Sequence, residues 1–223
     1  MTATAQRRTA LLAGATGLVG KQCLTRLLAH DAYSHVRALV RRPTGIVHDK
    51  LEELRVDFDA LDAVSLDAVD DVFITLGTTI KVAGSQEAFY KVDHDYVVAT
   101  AKLGKRAGAS RLAMVSSIGA GGAAGNFYLR VKTETERDIR AIGYECVEIL
   151  RPGLLVGERQ EKRSGEAIGI AAVNLISSLM VGPLRQYRPI AADDVAQSMI
   201  AVILEGNPGV HIRTFEEMQK RLG

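Results

Sequence analysis

The sequence predicts an α/β protein built on a doubly wound parallel sheet, with a small helical lobe at its C-terminal end. Three observations carry this. Short apolar runs alternate with amphipathic stretches from residue 9 to residue 150, the pattern of strand–helix–strand units that place helices on both faces of a sheet. The 223 residues suit one large domain. Aromatic residues make up only 5% and Trp is absent, so the core must come from Ala, Val, Ile and Leu, as in sheets buried on both sides.

The elements follow in order. TALLA (9–13) is a short apolar run ending at glycines, which suits a buried strand. Residues 18–29 carry Leu18, Val19, Cys23, Leu24, Leu27 and Leu28 at helical spacing. HDAYSH reads as a turn, VRALV (36–40) as a second strand stopped by Arg41-Arg42-Pro43, and 52–57 as a third. A short helix over about 61–69 leads to a strand at 71–77. Ser85, with Glu87 close behind, opens a helix predicted to run unbroken to 107. Residues 111–117 and 144–150 are strands on either side of a helix over 126–142. A charged loop (157–166), an apolar helix (165–181), a helix at 192–205 and a short amphipathic tail helix complete the chain. No linker divides it, so residues 1–223 are expected to form one domain, with 154–223 supplying the lobe.

Composition narrows the function. The 28 basic and 26 acidic residues leave a net charge of +2, which argues against nucleic acid and anionic membranes as partners. No apolar run is long enough to predict a transmembrane helix. Cys23 and Cys146 lie in apolar stretches and read as buried thiols in a reducing compartment. The five histidines show no ligand spacing, so no metal is expected. Arg7-Arg8 before an apolar run resembles a secretory signal, but Gly14, Gly17, Gly20 and Lys21 break the run. The expected location is cytoplasmic.

AGATGLVG (13–20) places Gly14, Gly17 and Gly20 between the first strand and the first helix. Such glycines permit the tight turn, close approach of a pyrophosphate, and close helix–strand packing. The helix start adds free N–H groups and a partial positive charge. The pattern predicts a Rossmann-type dinucleotide site with Gly14, Thr16, Gly17, Leu18 and Val19 at the phosphates. After the second strand, where an NAD site usually carries an acid, stand Arg41 and Arg42. This favours a 2′-phosphate, hence NADP(H) over NAD.

Tyr128 and Lys132 are four residues apart on a predicted helix and therefore neighbours. A phenol beside an ammonium can exchange a proton with a carbonyl or alcohol oxygen while hydride moves at the carbon. Ser116 or Ser117, at the end of the preceding strand, could donate a hydrogen bond to that oxygen.

Together, GATGLVG, VDFDAL, ITLGTT, VSSIGA, NFYLRVKTETE and LRPGLLVGERQEKRSGE resemble the atypical short-chain dehydrogenase/reductase superfamily. Within it the chain is most similar to the Tat-interacting-protein-like NAD(P)-binding group, over about residues 8–205. The resemblance implies that Ser117, Tyr128 and Lys132 are catalytic, with Lys132 also on the nicotinamide ribose. It implies that Asp57 contacts adenine and that Leu76, Gly77 and Thr78 lie beside its ribose. Ser116, Pro152 and Leu154 are implied at the nicotinamide end, with Gly153 between the last two. Asp193-Asp194-Val195 resembles a motif near the substrate lobe. Two features depart from the family: the separation of Ser117 and Tyr128 is slightly shorter than in most catalytic members, and Asp93 or Asp95 stands where many members carry Asn. His94 reads as part of a solvated polar face, and Arg159 and Arg163 as a lid or rim that could clamp an anion.

Two functions are consistent with these residues. One is an NADP(H)-dependent oxidoreductase acting on a small carbonyl or alcohol; the other is a dinucleotide-binding sensor or interaction protein with little catalysis. The expected partners are the dinucleotide and an unidentified small substrate, and a homodimer through the helices at 85–107 and 126–142 is compatible with the pattern.

Overall fold

The computed structural model describes residues 7–122, 125–157 and 182–222. Strand β1 (Arg8–Ala13) runs into helix α1 (Leu18–Ala29), followed by β2 (Tyr33–Val40) and β3 (Leu51–Arg55). A 3₁₀ turn (Phe58–Ala63) leads to β4 (Asp71–Ile74) and the short helices α2 (Ile80–Ala83) and α3 (Gln86–Tyr90). One π-helical turn (Lys91–Asp95) joins α3 to α4 (Tyr96–Arg106). Then come β5 (Arg111–Val115), α5 (Phe127–Ala141), β6 (Cys146–Leu150) and β7 (Leu155–Val156). After the second described break, β8 (Ile190–Ala191), α6 (Ala192–Glu205), β9 (Gly209–Arg213) and α7 (Phe215–Gln219) follow.

Seven strands form one sheet in the order β3-β2-β1-β4-β5-β6-β9, with every pairing parallel. The chain first winds outward from β1 through β2 to β3, then returns to β4 on the other side of β1. That reversal opens a crevice beyond the carboxyl ends of β1 and β4, where such sheets bind ligands.

Side-chain alternation divides the core. Ala10 and Leu12 of β1 pack with Leu24 and Leu27 of α1 and Val195 and Met199 of α6. Leu11 and Ala13 pack on the other face with Val97 and Ala101 of α4 and Ile139 of α5. All of these side chains are buried, so burying the two faces supplies most of the drive to fold. Arg26 of α1 holds Asp193 of α6 through two hydrogen bonds of 2.6 Å.

At the opposite end of the sheet, polar groups enter the core in pairs. Asp71 accepts from the Tyr33 hydroxyl at 2.8 Å and from Arg111 Nε at 2.5 Å. Burial still pushes its carboxyl up, outweighing the nearby Arg111 and Arg8. Glu148 of β6 is fully buried and receives both arms of Arg213 of β9, at 2.7 and 2.9 Å. Burial raises the Cys23 thiol to about 12 and the Cys146 thiol to about 11, so both remain protonated near neutrality.

The predicted class is borne out, with local corrections. The segment predicted as a helix over 61–69 forms only the 3₁₀ turn, capped by Asp57, whose carboxylate accepts from Asp59 N. The predicted turn at HDAYSH is partly strand, because β2 starts at Tyr33. The single helix expected over 85–107 is three segments. Strand β9 was not expected; it is short and its first residues are exposed. Within 154–223, α6 and β9 join the main sheet, while β7 and β8 form a separate parallel pair. The expected apolar helix at 165–181, with Arg159 and Arg163, lies outside the described residues.

Candidate active site

The glycine loop is shaped by two close approaches. Gly14 has φ +95°, and a Cβ there would lie 2.6 Å from Thr75 Oγ1; only glycine accepts both constraints. A Cβ on Gly20 would lie 1.9 Å from the Gly14 carbonyl oxygen, so α1 can reach β1 only with glycine there. Gly17 precedes α1 with no side chain capping the helix, and the first turn holds no acid. The opening N–H groups of α1 therefore face outward as donors, an arrangement that fits a diphosphate. Thr16 and Leu18 flank this opening. Val19 does not, since its side chain is buried in the core, so its contribution there is limited to its backbone.

Arg41 and Arg42 are exposed directly beyond β2, beside β1, and make no ion pair with the described residues. Leu76, Gly77 and Thr78 leave the end of β4 across the same crevice. Asp57 lies exposed past β3, one of its oxygens already used as the cap.

Helix α5 begins at Asn126, whose side chain accepts from Leu129 N at 2.9 Å; this cap is why the helix starts there. It packs against the α3–π–α4 segment in register. The Tyr128 ring meets Phe89 at 5.6 Å, Lys132 Nζ lies 2.7 Å from Asp93 Oδ1, and Thr135 Oγ1 donates to the Asp93 carbonyl at 3.0 Å. The π turn places Asp93 there. Asp93 Oδ2 also accepts from Thr78 N at 2.8 Å, which ties the β4 exit loop to Lys132. Of the two acids left open by the sequence, Asp93 faces the lysine and Asp95 faces His94.

The two serines diverge. Ser116 is buried and donates to Glu136 Oε1 at 2.6 Å. Ser117 is partly exposed, and among the described residues its hydroxyl makes only a 3.3 Å bond to the adjacent Ile118 carbonyl. Glu136 is also gripped by Arg151 Nε at 2.9 Å, beside buried Pro152. Leu154 is half exposed. Sequence reasoning missed Glu136 and Arg151; the available signal was Glu136 one turn beyond Lys132 on the same face.

Other expected features are structural in place. His94 stacks on Tyr90 and bridges Asp95 (2.8 Å) and Asp138 (3.0 Å), rather than belonging to a solvated face. Arg137 and then His94 hold Asp138 below the usual carboxylate range. Asp193 is bound to Arg26, which lowers its carboxyl. A hollow of about 370 Å³ between the far ends of α1 and α6, lined by Arg26, His30 and Arg221, is remote from the glycine loop.

A family model described as NAD(P)H-binding matches residues 14–205. The chain belongs to this NAD(P)H-binding family. Among curated relatives, protein fmp52 of Emericella nidulans, named mitochondrial, is 38% identical over 166 residues, 70% of this chain and 71% of the fungal protein. Rat protein HTATIP2 is 34% identical over 166 residues, 72% of this chain and 68% of the rat protein, which bears out the resemblance to the atypical reductases. Among solved structures, MoeE5 with UDP-glucose and NAD has a TM-score of 0.67 at 19% identity, over 94% of this chain and 79% of that one. Human epimerase family protein SDR39U1 with NADPH has a TM-score of 0.64 at 17% identity, over 92% and 76%. At these identities the structures share the fold of this NAD(P)H-binding chain and nothing finer. The expected cytoplasmic location is overturned by the fungal relatives, which are named as mitochondrial proteins. Among the described residues no helix is long and apolar enough to cross a membrane.

Proposed function

We propose that this protein is an NADP(H)-dependent oxidoreductase acting on a small carbonyl or alcohol, with Tyr128 as its acid/base. The observation that carries the reading is the Lys132 ammonium, held at the carboxyl end of β4 by Asp93, one helical turn from Tyr128. A bound nicotinamide would supply or accept hydride. In reduction the Tyr128 phenol gives its proton to the substrate oxygen, and in oxidation the phenolate takes it back. Ser117, whose hydroxyl has no strong partner among the described residues, donates to the same oxygen and holds it in place. Lys132 binds the nicotinamide ribose, and the positive charge of an oxidised nicotinamide would favour charge on the phenol. Pro152 and Leu154 border the ring. Leu76, Gly77, Thr78 and Asp57 take the adenosine half.

Arg41 and Arg42 favour NADP(H), since two cations without a described partner suit a 2′-phosphate. Calorimetry with NADPH and NADH tests this directly: equal affinity removes the case for the two arginines.

A second reading, a dinucleotide-binding sensor with little catalysis, is favoured by one observation. Asp93 offsets the charge that Lys132 would lend to the phenol. Tyr128→Phe separates the readings. Under the first, turnover across a carbonyl panel at saturating NADPH falls at least about 100-fold, while dinucleotide affinity changes less than about threefold. Unchanged turnover rejects Tyr128 as the acid/base, and no turnover by the parent protein on any carbonyl supports the sensor.

A further inference from the structure

We infer that Asp93 sets the preference of this site between oxidised and reduced dinucleotide, by cancelling the charge of Lys132. The inference rests on the dinucleotide site proposed above and deepens it.

Asp93 and Lys132 are both buried, with side-chain exposures of 1% and 6%. The ammonium meets Oδ1 at 2.7 Å without the alignment of a hydrogen bond, so the contact is chiefly one of charge. Oδ2 accepts from Thr78 N at 2.8 Å. The two oxygens of one side chain thus face an ammonium and a backbone N–H. An asparagine would keep the bond from Thr78 N through its single oxygen but would remove the charge that faces the ammonium. What distinguishes the carboxyl here is its contact with the ammonium.

The pair also lies against the crevice. A Cβ on Gly77 would approach Asp93 Oδ1 to 3.5 Å and Lys132 Nζ to 4.0 Å. Gly77, which carries no side chain, therefore brings its backbone close to both charges. The other charged groups nearby are committed elsewhere. Glu136 is bound by Ser116 and Arg151, and His94 faces Asp95 and Asp138.

The oxidised nicotinamide ring carries a positive charge and the reduced ring none. An uncompensated Lys132 would therefore penalise the oxidised form alone. Charges so far out of solvent are weakly screened. With Asp93 present the lysine keeps its donors for the ribose, while the pair as a whole is neutral toward the ring.

The test measures the dissociation constants of NADP⁺ and NADPH by calorimetry on the full-length protein and on Asp93→Asn, Lys132→Met and the double variant. The readout is the ratio of the oxidised to the reduced constant. It rises about tenfold in Asp93→Asn, where one uncompensated cation remains across a partly buried cleft. It falls in Lys132→Met, where one anion remains, and returns close to the parent value in the double variant. General damage to the pocket weakens both forms alike and leaves the ratio unmoved, an outcome that overturns the inference. A shift of the same sign in both single variants overturns it equally. If Asp93→Asn does not fold, the sign of the Lys132→Met shift decides alone. Parent protein that binds neither form overturns the dinucleotide site itself and this inference with it, whereas parent binding with an unmoved ratio overturns only the inference.

Discussion

Ser116 and Ser117 are adjacent in sequence and differ in nearly everything the site uses. Ser116 completes the shell around a buried carboxylate, together with Arg151; among the described residues the Ser117 hydroxyl has only the adjacent Ile118 carbonyl as partner. Ser116→Ala should lower stability by about 1–2 kcal/mol, because Glu136 loses a donor it cannot replace with water. Ser117→Ala should leave the melting temperature nearly unchanged and lower turnover about 100-fold. Thermal melts and initial rates on both variants check the pair. The residues alone name SS as the place; only the family resemblance favours Ser117 over Ser116. Strand β5 ends at Val115, so the two-residue alternation that would assign the serines to opposite faces no longer applies. Gly14, Gly17, Gly20, Tyr128 and Lys132 were legible because their spacing is itself the signal. Asp93 was only half legible, since its partner lies on another helix.

Helix α6 is pinned at both ends by arginines from other elements. Arg26 of α1 binds Asp193 at its start, and Arg221, just past α7, binds Glu205 at its end. Each carboxyl is held below its ordinary value, chiefly by its arginine. A depressed carboxyl contributes stability above its unfolded pKa of about 4 and loses it as pH falls through the lower folded value. The melting temperature should therefore decline below about pH 4. Arg26→Met with Arg221→Met should flatten that decline, read by calorimetric scans across the acid range; both pairs are partly solvated, so the effect is modest. Most elements were legible from apolar spacing, including α6, whose predicted and observed limits coincide. The segment 85–107 was read as one helix because a π turn leaves the surrounding helical pattern almost intact. Its presence is betrayed only by what it aligns, Asp93 against Lys132 and Thr135.

At the scale of the molecule, the parallel order and the reversal between β1 and β4 bring the glycine loop and the loops after β2, β4 and β5 to the carboxyl edge of the sheet. That much follows from strand–helix alternation and the right-handed crossover rule. Strand β9 did not announce itself: GVHIR follows Pro208, its first two residues are exposed, and it pairs on one side only. What fixes it is Arg213 reaching the buried Glu148. Arg213→Met should cost about 3–5 kcal/mol, because it strands a fully buried carboxylate, and chemical denaturation should show this as a lower midpoint. Restoration by Glu148→Gln in the same chain would identify the stranded charge as the cause. The packing of α6 against α1 has a temporal consequence. On the ribosome the glycine loop and α1 emerge well before α6, the helix that shelters α1. A nascent chain stalled before residue 192 would present the apolar flank of α1 to the surrounding fluid, as a handle for chaperones.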